Sequence, residues 1–326
     1  MTRAPISASA DRLRRISARP KARFYFGAQA LGGVLWWLAV YASDDVQRWT
    51  LGEWNRALLV GPDLIFFAGA SAMAAALDSR VAAVVAATWT TFVTVALTAY
   101  ALAEREAGWG AVLMVIATVG TVAATLVLRS GRLPVQWFFL GPFTFRVARD
   151  RSRAGHLRHS LMQLVFFWST FLILLPLALS WVEQRLRLEW SPLQHSGVVL
   201  AGPIVFGVAS AFGVWSCVAM ALRGEGTPLP AATARKLVVV GPYRFVRNPM
   251  AVAGALQTIG VGLWRGSWMV IASSIAGAVI WNTFIRPEEE ADLAARFGSD
   301  YETYRSVVRC WIPIKRRPET LEHLAT

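Results

Sequence analysis

Hydrophobic positions along this chain fall into long continuous runs rather than alternating ones. Runs at 24–42, 60–77, 81–102, 109–128, 161–181, 197–221, 249–264 and 267–285 are separated by short polar stretches. A run of ~18 or more apolar residues is long enough to cross a bilayer as a helix. Continuous runs exclude a membrane barrel, whose strands alternate. The pattern predicts an all-α polytopic membrane protein with about eight transmembrane helices. The last two runs are split only by Arg265 and Gly266, which predicts a helical hairpin leaving one membrane face and returning to it.

Polar residues then set orientation. If both termini are cytoplasmic, 27 of the 33 Lys and Arg fall on inside segments and 6 on outside loops. Cytoplasmic loops carry the positive excess, so this topology is expected. The net charge of +13 is accounted for in the same way, and no nucleic-acid partner is implied. The membrane lipid bilayer is the implied partner. Only 16% of residues are charged and 15 are Trp, which fits a membrane protein rather than a soluble domain. Residues 1–23 read as a basic cytosolic tail on anionic lipid, with a short amphipathic stretch around Ile6 to Ile16. Four scattered His and two Cys without a CxxC pattern imply neither a metal site nor a disulfide framework.

Individual polar residues inside the runs are few. Asp63 follows Gly61-Pro62 and is expected in the first turn of a helix, where the dipole suits an acid. Ala68, Ala72 and Ala76 recur at helical spacing and predict close helix packing. Val135 to Leu140, aromatic and beside Arg residues, reads as a segment at the headgroup level.

The chemistry-bearing residues concentrate in two stretches flanking the hairpin, Gly241 to Met250 (GPYRFVRNPM) and Arg286 to Tyr304. Asn248 is biased away from helix by Pro249, which is well placed to start one. Arg244 and Arg247, three apart, present paired N–H donors suited to a carboxylate or phosphate. Glu288, Glu289 and Glu290 are expected to begin an amphipathic helix whose stripe is Leu293, Phe297, Tyr301 and Tyr304. The hairpin brings these stretches to one membrane face. Carboxylates there would attract a sulfonium or ammonium, and Tyr faces and Trp281 would add cation–π attraction and wall a pocket. The same features also fit a surface helix and headgroup anchors.

GPYR-x-VRNPM, a hairpin, then EE-xx-L-xxx-FG-xx-Y-xx-Y and WIP resembles the isoprenylcysteine carboxyl methyltransferase family, within a wider group that includes phospholipid methyltransferases. Gly226 to Pro230 (GTPLP) adds to the likeness, which covers about 222–314. The resemblance implies methyl transfer from S-adenosyl-L-methionine to a lipid-like or isoprenoid acceptor at the cytosolic face, in a cofactor pocket at the C-terminal end. It carries Gly241, Pro242, Tyr243, Arg244, Asn248, Pro249, Glu290, Tyr301 and Tyr304 over as cofactor-binding residues. Arg247 and Glu289 would lie nearest the reacting centre. Asn248 stands where many members have His, and Ala251 where many have Tyr.

The implied organisation is a tail at 1–23, an N-terminal transmembrane region at 24–196, a methyltransferase-like core at 197–314 and a C-terminal tail at 315–326. The implied location is the bacterial inner membrane. An NADPH-dependent membrane sterol-type reductase is the alternative enzyme class. Its pattern of Arg-Asp-Glu followed by Lys-Tyr-Gly is replaced here by Glu289-Glu290 and Arg296-Phe297-Gly298. A non-catalytic membrane scaffold is the other alternative, to which Ala251 lends weight.

Overall fold

The computed structural model describes residues 8–131, 153–224 and 235–313. Val135 to Leu140, Gly226 to Pro230 and the tail at 315–326 lie outside the described residues. Among the described residues there are helices and no strand. Seven helices are long and apolar enough to cross a membrane: Ala18–Ala42, Arg56–Leu77, Arg80–Glu104, Gly108–Ser130, Leu161–Arg185, Ser196–Arg223 and the beginning of Trp268–Val307. The eighth expected run, 249–264, is the helix Pro249–Arg265, whose 17 residues span roughly 25 Å and fall just short of that length. The chain is an integral membrane protein.

Two compact units divide the chain: residues 1–134 with 184–188, and residues 135–183 with 189–326. In the first unit α1 (Ala8–Ala42) runs unbroken through Pro20, so much of the basic segment extends the first span. It packs with α4 (Ala70–Leu77), α5 (Arg80–Glu104) and α6 (Gly108–Ser130) around a core of Ala and Phe26. Small side chains let the backbones approach closely, which drives association where lipid is as apolar as the core. The inward residues leading into and along α4 are not Ala68, Ala72 and Ala76 in a row. Ala68 is buried, but Ala72 and Ala76 are exposed, and Ala70, Ser71 and Ala74 face in. The preceding π-helical turns, Leu64–Gly69, place more residues in each turn and so rotate the face.

Asp63 is likewise not in a first turn. It ends α3 (Arg56–Asp63), and its carboxylate accepts from the indoles of Trp37 and Trp89, both at 2.8 Å. An acid at membrane depth needs such donors, because no water satisfies it there.

The second unit contains α7 (Arg153–Phe167), continued by π turns Trp168–Leu174 into all but the last two residues of α8 (Leu175–Arg185), then α9 (Ser196–Arg223), α10 (Pro249–Arg265) and α11 (Trp268–Ile280). α9 and α10 cross on glycine. A Cβ on Gly202 would meet the Trp264 nitrogen at 2.4 Å, and one on Gly260 the Phe206 nitrogen at 2.7 Å. The buried Glu183 of α8 then fixes the hairpin turn. Its carboxylate accepts from the Ser267 hydroxyl and from the amides of Trp268 (3.3 Å) and Met269 (3.2 Å) in the first turn of α11, where no intrahelical acceptor is in reach.

After α11 the helix continues through π turns Trp281–Ile285 into α12 (Arg286–Val307). Glu288 to Glu290 therefore do not begin a helix, and there are no free N-terminal amides for them to complement. The stretch from Trp268 to the kink at Gly298 measures roughly 45 Å, well beyond the ~30 Å hydrocarbon core. Its apolar part ends near Ile285, so α12 with its carboxylates lies beyond the hydrocarbon. Gly298, with φ 52° and ψ −127°, kinks α12 in a conformation open to glycine and strained for other residues.

Candidate active site

The hairpin of α10 and α11 brings the two polar stretches together. Gly241–Arg244 forms a short 3-10 turn with Pro242 and Tyr243 buried. Asn248 caps α10, its Oδ1 accepting from the Ala251 amide at 3.0 Å, and Pro249 supplies the first helical residue. Capping leaves the Asn248 amide NH2 free to donate to Glu289 Oε2 at 3.3 Å. One residue earlier, Arg247 donates to Glu290 Oε1 at 2.7 Å. Both partners of that pair are nearly buried, at 11% and 13% exposure.

Arg247 also ties the C-terminal segment to the loop. Its guanidinium donates to the carbonyls of Arg305 and Val308, and its own amide donates to the Arg309 carbonyl at 2.9 Å. Among the described residues its Nε–H is buried and has no hydrogen-bond partner. Glu290 accepts from Arg286 at 2.9 Å as well, and Arg305 stands 3.7 Å away. Asn282 accepts from Arg286 at 2.7 Å and from the Trp311 indole at 2.9 Å. Trp311 meets Trp281 edge to face.

Behind the charges is an apolar backing. Tyr301, Tyr304, Val239 and Val308 are buried together, with Leu293 and Phe297 partly buried against them. This is the stripe the spacing predicts. The Tyr304 hydroxyl donates to the Tyr243 carbonyl at 2.7 Å, locking the two stretches.

The electrostatics separate the two glutamates. Burial first, then the Glu290 and Asp292 charges, raise the Glu289 carboxyl to about 7 against the opposing Asn248 hydrogen bond. Burial acts on Glu290 in the same direction, but hydrogen bonds and charge from Arg247 and Arg286 prevail and hold it below the usual range. Burial disfavours the Arg247 cation, yet the bond and charge of Glu290 outweigh it and raise its pKa. Burial also pushes the Tyr243, Tyr301 and Tyr304 phenols up, so they stay neutral donors.

A cavity lies at this junction. Of the residues expected from sequence, Tyr243, Arg247, Asn248, Glu289, Glu290, Tyr301 and Tyr304 line it, as does Trp281. Gly241, Pro242 and Pro249 shape the loop behind it, and Arg244 is exposed and outside the lining. Arg286, Met250 and Cys310 line the cavity without having been singled out. Arg286 was legible as an i,i+4 partner of Glu290. Among the described residues no group of three or more His, Cys, Asp or Glu is arranged to hold a metal.

No curated protein and no solved structure matches the chain. Residues 198–300, about a third of its length, match the model of the phospholipid methyltransferase family. That segment contains α10, α11, Arg247, Asn248, Glu289 and Glu290. This part of the chain is thus similar to the phospholipid methyltransferases.

Proposed function

We propose that the protein transfers a methyl group from S-adenosylmethionine to a lipid acceptor at the cytosolic membrane face. The observation that carries this reading is the junction of Arg247–Glu290 and Asn248–Glu289 in one cavity, inside the matched segment. The side chains present fit the cofactor: a buried orphan donor on Arg247 suits its carboxylate, carboxylates suit a sulfonium, and Trp281 and Phe297 suit a base ring.

When bound, S-adenosylmethionine supplies a methyl carbon already activated on sulfur. Arg247, Asn248 and Glu290 would hold the amino-acid end, with Tyr243 and Tyr304 fixing the wall behind them. Methyl transfer is an in-line displacement, so the protein's work is to align donor and acceptor and to exclude water. Glu289, raised to about 7, is divided between its two protonation states at neutral pH. It accepts a proton from an ammonium acceptor before attack, a role matched to operating pH. For a carboxylate or thiolate acceptor no proton moves, and Glu289 acts by position and charge.

The test uses purified protein in vesicles of an inner-membrane lipid extract, with methyl-labelled S-adenosylmethionine. Label should enter the organic-soluble fraction, and with an amine acceptor Glu289→Gln should cut the rate by 100-fold or more, within the roughly 10²–10⁴ supplied by general acid–base groups. Absence of lipid labelling by the wild type would refute the reading.

A further inference from the structure

A second cavity, of about 580 Å³, opens in the second unit at the opposite end of α10 from the candidate site. This lies in the roughly 300–1,000 Å³ range of small-molecule sites. Leu172, Phe206 and Val261 form its walls, Trp168 and Trp264 flank it, and Arg265 stands at its end. One wall is the π-helical stretch Trp168–Leu174, a geometry that accumulates at functional sites.

Length and charge identify the occupant. Arg265 Nε donates to Ser180 at 2.8 Å, which sets that end level with Ser180. Trp168 lies twelve residues before Ser180, roughly 15–18 Å along the helix. That is about half of a ~30 Å hydrocarbon core, the depth of one leaflet. The trough is apolar along this depth and cationic at its boundary end.

Arg265 is exposed, and among the described residues no carboxylate pairs with it. Glu183, one turn beyond Ser180, is occupied by Ser267 and the α11 amides. A guanidinium free of carboxylate matches a phosphate, and offers no anion to a zwitterionic amine.

We propose that this groove binds an anionic phospholipid of the leaflet opposite the candidate site, with an acyl chain in the trough and its phosphate at Arg265. The site is separate from the methyl-transfer cavity, roughly 25 Å away along the 17 residues of α10. Its ligand is a bound lipid rather than the methyl acceptor.

Native mass spectrometry of the full chain in detergent tests this, with phosphatidylglycerol, phosphatidylcholine and inorganic phosphate titrated separately. The wild type should retain phosphatidylglycerol at about fivefold lower concentration than phosphatidylcholine, and should retain no phosphate. Arg265→Gln should erase that preference and leave phosphatidylcholine retention unchanged. Leu172→Trp should reduce retention of both lipids by filling the trough. Leu177→Trp, at a more exposed position of the same lining, repeats that test with less disturbance of packing.

Four results would overturn the proposal: a preference that survives Arg265→Gln, lipid retention unchanged by both groove fillers, phosphate retained as well as the lipid, or a dimer mass that the fillers abolish. The last would make the groove a contact between copies. None of these readouts depends on methyl transfer.

Discussion

Replacing Glu289 by Gln removes a carboxyl that the fold keeps partly protonated while preserving its shape and its acceptor for Asn248. Burial first, then the Glu290 and Asp292 charges, raise this group from 4.5 to about 7, against the Asn248 bond. The unfolded chain therefore loses the proton near pH 4.5 and the folded chain near pH 7. Between these values the folded state holds more protons, so its stability falls as pH rises. The loss is absent below about pH 4.5 and complete above about pH 7. An interval of about 2.5 pH units at about 1.4 kcal/mol each amounts to about 3 kcal/mol. Equilibrium unfolding in mixed detergent micelles, run on both proteins from pH 4.5 to pH 8.5, reads this difference. The two curves should meet at the acid end, with Glu289→Gln about 3 kcal/mol more stable at pH 8. Parallel curves, or a wild type that is the more stable at pH 8, would show that the carboxylate is ionised beside a compensating cation. The reasoning from burial would then be wrong.

Other perturbations test separate parts of the account. Tyr304→Phe leaves the Tyr243 carbonyl without its donor and should cost about 1–2 kcal/mol in the same unfolding assay. Glu183→Ala strands the Ser267 hydroxyl and two amides of α11 and should cost at least about 3 kcal/mol, with loss of hairpin protection in hydrogen exchange. Gly202→Ala drives a methyl against the Trp264 backbone at 2.4 Å and should cost about 1–3 kcal/mol. Arg244→Ala, altering an exposed side chain outside the cavity lining, should leave S-adenosylhomocysteine affinity within about twofold by calorimetry.

Most of the helices could be read from sequence because a bilayer demands long apolar windows, and those windows are visible without tertiary information. What the windows hide is continuity. α1 reaches back to Ala8 through a basic segment, and the helix from Trp268 runs on past Arg286-Pro287, where a new start was expected. Proline at such a point fits either a first turn or a helix that bends, and only packing decides. The π turns were equally hidden, and they moved the inward face of α4 away from Ala72 and Ala76. In the candidate site, the pairing of 241–250 with 286–304 was legible because a hairpin with a two-residue turn must return its ends to one face. The individual contacts were not. Nothing in the spacing shows that Arg247 meets Glu290 while Arg244 turns to the surface, since Arg244 ends a 3-10 turn and Arg247 lies in the irregular link to α10.

The most direct test of the central claim is calorimetric titration of S-adenosylhomocysteine into the detergent-purified wild type and Arg247→Lys. Lysine keeps a cation beside Glu290 but lacks the Nε–H and the fork that reaches the Val308 carbonyl. The account predicts one site per chain in the wild type and at least tenfold weaker binding in the variant. No binding by the folded wild type, or equal binding by both proteins, would contradict it.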